Sequence, residues 1–215
     1  MAVEESTLTA EPYIESVREI PVATRATGDP QVFGWLAFVA GSICLGLQLT
    51  GFVPLGVLGA PLPIILAATG MGLLISAIWA AYLGQTFVAG AFGVFSGFWL
   101  SYTTLVLGLQ HNWLLVPAGA VTDTVVAFLI AWATAIFILM VATVRLPAAY
   151  TIEVALIDLA LIILVFANQN GSTSLTKLGG AVVFMFAALG AYIWLSVADQ
   201  SLGGSGYPMG RALRS

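Results

Sequence analysis

The sequence predicts an all-α integral membrane protein with six transmembrane helices and both termini in the cytoplasm. Three observations lead there. Of 215 residues, 60% are hydrophobic and only 7% charged, whereas an average soluble domain is about 25% charged. No Asp, Glu, Lys or Arg occurs between Asp29 and Asp123, an interval of 93 residues, and a helix crosses a bilayer with about 20 apolar residues. Prolines, glycines and short polar runs then cut the apolar sequence into six pieces near spanning length. Soluble globular, disordered and nucleic-acid-binding classes are excluded by this composition.

The pieces follow in order. The first span covers about Val32 to Phe52; Asp29-Pro30 supplies its start, a capping side chain followed by a proline whose missing N–H costs nothing there. Pro54, Pro61 and Pro63 mark the first loop. The second span runs from about Ile64 to Tyr82 and ends at Gly84. The third covers about Val88 to Leu109, followed by the polar break Gln110-His111-Asn112. Trp113 to Val121 is apolar but too short to cross, so it is expected at the interface. The fourth span is about Thr124 to Val144, stopped by Arg145 and Pro147. The fifth is about Thr151 to Ala167, stopped by Asn168-Gln169-Asn170-Gly171, and the sixth about Leu178 to Val197.

Residues 29–200 thus form the transmembrane domain, between a tail of residues 1–28 and a C-terminal tail of residues 201–215. The N-terminal tail holds Glu4, Glu5, Glu11, Glu15 and Glu19. It lacks the apolar stretch of a cleaved signal peptide and reads as a retained, mobile acidic arm. Six spans put Arg18, Arg25, Arg145, Arg211 and Arg214 on one side and only Lys177 on the other, which assigns both termini to the cytoplasm. Trp35, Trp113, Tyr150 and Tyr192 suit interfacial anchoring. Cys44, the only cysteine, permits no internal disulfide.

The third span carries the strongest patterning. At about 100° per residue, Gly90, Gly93, Gly97, Ser101, Thr104 and Gly108 form one narrow stripe. Phe92, Phe95, Trp99 and Tyr102 form the opposite, bulky face. The small stripe is either a packing seam, with Gly93 and Gly97 as a small-xxx-small pair, or the wall of a narrow solute path. In the fifth span Asp158 is the second signal. A carboxyl at that depth costs about 2.5–3.5 kcal/mol on insertion scales, so it should face protein or a water-filled cavity. It is a candidate proton relay, or else a protonated acid bonded to a neighbouring helix. Glu153, nearer the helix end, is expected to snorkel to the interface.

Enzymatic chemistry finds little support. His111 is the only histidine, so histidine metal clusters and paired haem ligands are ruled out, and a zinc or serine hydrolase is unsupported. No G-x-x-x-x-G-K-[ST] phosphate loop occurs. No cofactor and no metal site are expected.

Gly84-Gln85-Thr86-Phe87, then Ala91-Phe92 and Phe98-Trp99-Leu100, resemble the G-N-T-F…A-F…F-W signature of the acetate uptake transporter family, the succinate–acetate permeases. Asp29-Pro30 with Gly34 is similar to its N-P-x-P-L-G motif, and Pro208-Met209-Gly210 to its L-P-x-G tail. The resemblance runs from about Asp29 to Gly210. It departs around the third span, where the family has T-A-F-T-S-Y-G and this chain has Gly90-Ala91-Phe92-Gly93-Val94-Phe95-Ser96. A tyrosine hydroxyl and several polar positions are missing, which implies a more apolar pore. The resemblance implies a homo-hexamer of six-helix protomers in a bacterial plasma membrane, each with its own path for acetate or succinate. The path would involve Asp29, Pro30 and Gly34 on the first span and Thr86, Phe87, Phe92, Phe95 and Trp99 on the third. Two other readings stand beside this permease: a channel for neutral solutes such as ammonia, urea or short amides, and a non-transporting membrane subunit.

Overall fold

The computed structural model describes residues 28–54, 56–57 and 61–214. The expected acidic arm therefore lies outside the described residues except for Gly28. Among the described residues six helices are long and apolar enough to cross a membrane: α1 (Gln31–Thr50), α2 (Pro61–Tyr82), α3 (Thr86–Gln110), α4 (Ala118–Thr143), α5 (Ala148–Gln169) and α6 (Thr173–Ser201). No strand occurs among the described residues.

Each helix extends past its expected bounds, apart from the C-terminal ends of α1, α2 and α4, because residues assigned to the connections, such as Pro61, Ala148 and Thr173, join the coil. At α1 the Asp29 carboxylate accepts the Gln31 backbone N–H at 2.9 Å, satisfying one of the orphan donors of a helix start. Pro61 and Pro63 begin α2 rather than ending a loop, since proline is tolerated in a first helical turn. Ser172 caps α6 by accepting the Leu175 N–H at 3.3 Å, so the helix starts five residues before Leu178. Between α3 and α4 the expected interfacial stretch is a turn with Asn112 and Leu115 at positive φ, then a short 3-10 turn at Ala118–Ala120 that leads into α4.

One segment departs from α geometry. Ile64–Gly70 within α2 is π-helical, a wide turn that frees carbonyls from the regular ladder. Neighbours use the space: Ser96 of α3 donates to the Gly70 carbonyl at 2.8 Å, and Thr69 donates to the Ala37 carbonyl of α1 at 2.8 Å. Gly41 of α1 makes room for that threonine, because a Cβ there would collide with Thr69 Oγ1.

The helices form a ring in the order α3, α2, α1, α6, α5, α4, with α1 against α6 the most extensive seam. Close approach on that seam needs Gly180, where a Cβ would lie 2.9 Å from Leu49 Cβ and 3.0 Å from the Thr50 backbone nitrogen. The Trp194 indole donates to the Val32 carbonyl at 2.7 Å across it. The ring is loosest between α3 and α4, whose backbones approach little. There Phe98 of α3 meets Trp132 and Phe128 of α4, with ring centroids 5.6 and 6.1 Å apart. The core runs down the centre of this ring, through Phe38, Phe95, Trp99, Ile157 and Phe186.

The C-terminal tail packs on the bundle. Ser196 and Asp199 of α6 accept the backbone N–H groups of Tyr207 and Gly206 at 2.9 and 2.8 Å. Tyr192 donates to the Pro208 carbonyl at 2.8 Å. The Met209 carbonyl then accepts the Ala149 N–H at 2.9 Å, an orphan donor in the first turn of α5.

Candidate functional site

The aromatic face of α3 turns inward. Phe92, Phe95 and Trp99 are buried, whereas Gly90 and Thr104 are exposed and Gly93, Gly97 and Ser101 half-buried. Nothing lies within 4 Å of a Cβ built on Gly90. Gly93 and Gly97 meet only Ala77 and Trp132, and Gly108 meets Leu114 in the following turn. The small stripe is therefore largely uncovered in the protomer.

Two cavities lie inside the ring. One, of about 240 Å³, is lined by α1, α3, α4, α5 and α6, with Phe38, Phe95, Phe98, Trp99, Leu161 and Phe186 among its walls and Asn168 and Thr176 at its polar end. The other, of about 360 Å³, is lined by Gln31, Trp35, Phe87, Phe92, Phe95, Thr143 and Tyr150 among others. Phe95 lines both. Its ring centroid is 5.6 Å from that of Phe38, which in turn is 5.7 Å from Phe186 and 6.3 Å from Trp99. An aromatic plug thus separates two mostly apolar chambers.

The second cavity holds the polar detail. The Gln31 Oε1 accepts from the Trp35 indole and from the Tyr150 hydroxyl, each at 3.3 Å. Trp35 is 5% exposed and packs edge-on against Phe38 and Phe92. This corrects its reading as an interfacial anchor: near the start of α1 its ring lies on the face turned into the bundle, against Phe38 and Phe92. Tyr150 likewise faces the cavity. On the other side of the plug, the Trp99 indole nitrogen is buried with no hydrogen-bond partner.

Of the other expected pathway residues, Asp29, Pro30, Gly34 and Thr86 line neither cavity. Gly34 lets the Phe92 ring lie against α1, since a Cβ there would be 2.6 Å from Phe92 Cζ. Pro30 is buried, Asp29 caps α1, and Thr86 is exposed at the start of α3. Phe87 lines the second cavity. Asp158 is 6% exposed with Oδ1 unpartnered, and it lines neither cavity. Phe38 and Gln31 escaped the sequence reading and Tyr150 was read only as an anchor; the signal for the first two was the i, i+4, i+7 spacing of Gln31, Trp35 and Phe38 from the helix start.

Glu153 departs most from expectation. In place of snorkelling it is 0% exposed, and neither carboxyl oxygen has a hydrogen-bond partner. The reason is the start of α5, three residues earlier than expected, with Met209 and Gly210 of the tail lying against Ala148 and Ala149 at that end. Among the described residues no group of three His, Cys, Asp or Glu side chains could hold a metal ion.

Comparison with solved structures gives a match to a bacterial acetate channel, SatP, with a TM-score of 0.77 and 19% identity, covering 86% of this chain and 100% of that one. Comparison with curated proteins gives no match. Residues 15–201 match the GPR1/FUN34/yaaH family, a span that contains the Gly84–Leu100 signature and all six helices. The chain belongs to the GPR1/FUN34/yaaH family.

Proposed function

We propose that this protein is a multi-pass membrane permease or channel for acetate-like small monocarboxylates. One observation carries the reading: two apolar cavities meet at a single side chain, Phe95, inside a ring of spanning helices. The path runs from the second cavity, past Phe38 and Phe95, into the first. A small carboxylic acid matches it in size and in being half apolar; the Gln31 amide with Tyr150, and the unpaired Trp99 N–H once the rings part, supply the few polar contacts that orient a ligand in such a chamber. The fold likeness to a bacterial acetate channel supports the substrate class.

Around this path the remaining assignments follow from the uncovered surfaces. The partly exposed small stripe of Gly90, Gly93, Gly97, Ser101 and Thr104 suits helix contact with further copies, which supports a hexamer. Five basic residues on one side support cytoplasmic termini, and a bacterial plasma membrane is the matching location. The family and the fold likeness to a channel support transport as the activity. Reconstitution tests this: vesicles containing the protein should admit radiolabelled acetate faster than protein-free vesicles, and equal rates would defeat the proposal. The uncharged polar lining of the second cavity favours one rival, a neutral-solute channel; urea-driven swelling without acetate entry would select it.

A further inference from the structure

Glu153 has no place in the path described above, yet its setting demands an account. It lies on the α5 face between the two cavities. Tyr150, three residues before it, lines the second cavity, and Ile157, four residues after it, lines the first. Residues at this spacing stack on one side of a helix. Its immediate surroundings are apolar: Glu153 Oε1, a Val39 methyl and the Phe38 ring edge all lie within 3.6 Å of the point a Gly190 side chain would occupy. Gly190 of α6 thus lies in van der Waals reach of both the carboxyl and the plug ring Phe38. The carboxyl is sealed from water and neither oxygen accepts a hydrogen bond. Titratable side chains on the elements around it are Cys44 on α1, Asp123 on α4, Tyr150 and Asp158 on α5 itself, and Lys177, Tyr192 and Asp199 on α6. None gives Glu153 a hydrogen bond.

We propose that Glu153 is a proton-binding site coupled to the plug. Sealed behind Phe38, the carboxyl carries its proton, because an ionised group without partner or water is not tolerated there. When Phe38 turns aside for a passing solute, the carboxyl opens to the path. It gives its proton to a carboxylate or a water there: the O–H bond broken at Glu153 is replaced by one on the acceptor. Glu153 then takes a proton back from the more acidic chamber before Phe38 reseals it. This rests on the permease reading, and it places coupling at Glu153 rather than at Asp158, which lines neither cavity.

Two measurements on the full-length protein test it. Infrared difference spectra at neutral pH should show the carbonyl stretch of a protonated carboxylic acid in the wild type and in Asp158→Asn, and lose it in Glu153→Gln. A spectrum without that band, or a band unchanged in Glu153→Gln, overturns the proposal. Should Glu153→Gln not fold, Glu153→Asp retracts the carboxyl by one methylene and should shift the band instead. In vesicles, the acetate rate above protein-free vesicles should rise on acidification in the wild type and in Asp158→Asn. Glu153→Gln should still admit acetate but lose most of that rise; a full rise in Glu153→Gln overturns the coupling. Wild-type vesicles no faster than empty ones defeat the permease reading, and the infrared difference then decides on Glu153 by itself.

Discussion

Phe95→Ala separates the two things the plug does, filling space and blocking passage. Phe95 is 4% exposed and its ring meets Phe38 at 5.6 Å. Truncating a buried phenylalanine costs roughly 3–5 kcal/mol, the spread reflecting how much new void is left. Phe95 already borders cavities on both sides, so the change joins existing voids more than it opens a fresh one, and the lower end, about 3 kcal/mol, applies. The pair with Phe38 is the aromatic part of that cost, about 1 kcal/mol. For a chain of this length each kcal/mol moves the melting midpoint by about 2–4 °C, so the variant should melt about 10 °C lower and still be folded at room temperature. Transport should move the opposite way. With the shared wall removed, acetate entry into vesicles should rise, and a bulkier monocarboxylate such as benzoate should enter where the wild type excludes it. Melting by intrinsic tryptophan fluorescence and solute entry are read on the same preparation. A folded variant that admits no more of either acid than the wild type would refute the assignment of Phe95 to the constriction.

Gly180→Ala should be costly, because its Cβ meets the Thr50 backbone nitrogen at 3.0 Å and backbone cannot move aside. A loss of about 1–3 kcal/mol is expected as a lower melting midpoint, and an unchanged midpoint would show that the α1–α6 seam is looser than described. Trp99→Phe removes a buried donor that has no partner. Deleting an unpaired donor releases its desolvation cost of about 1–3 kcal/mol, which offsets the lost ring packing, so stability should hold while acetate entry falls. Full acetate entry would exclude that N–H from the path. Gly90→Leu adds bulk where nothing lies within 4 Å, so the protomer should fold normally while the assembly mass, read by native mass spectrometry in detergent, falls. An unchanged mass would exclude the stripe from the oligomer contact.

The six spans were legible because proline, glycine and short polar runs interrupt apolar sequence in a way that water and lipid both enforce. Their ends were less so. Thr173 and Lys177 are polar, yet they are helical because Ser172 caps them, and hydropathy carries no such local bond. The two faces of α3 were legible as a pattern, but which face turns inward was not. In a soluble protein the apolar face goes in; in lipid both the core and the exterior are apolar, and Phe95 inside looks no different from Phe137 outside. Gly34 and Gly41 show the same blindness from another side: each is small because of one particular neighbour, Phe92 and Thr69, brought there by the fold. Glu153 was misplaced for a related reason. Its depth depends on where α5 starts and on the tail packed there, contacts made with residues more than fifty positions away.

That tail has a genetic consequence. A stop codon directly after Ser201 would leave every spanning helix encoded, yet it would strip the acceptor from the Ala149 N–H and from the Tyr192 hydroxyl, and remove the Arg214 N–H that pairs with the Val144 carbonyl at 3.0 Å. The turn between α4 and α5, whose Leu146 and Pro147 wall the second cavity, would lose its fastening. Truncations between Ser201 and Pro208 should therefore behave as loss-of-function alleles, and reporter fusions are best joined beyond Arg214 rather than at the end of α6.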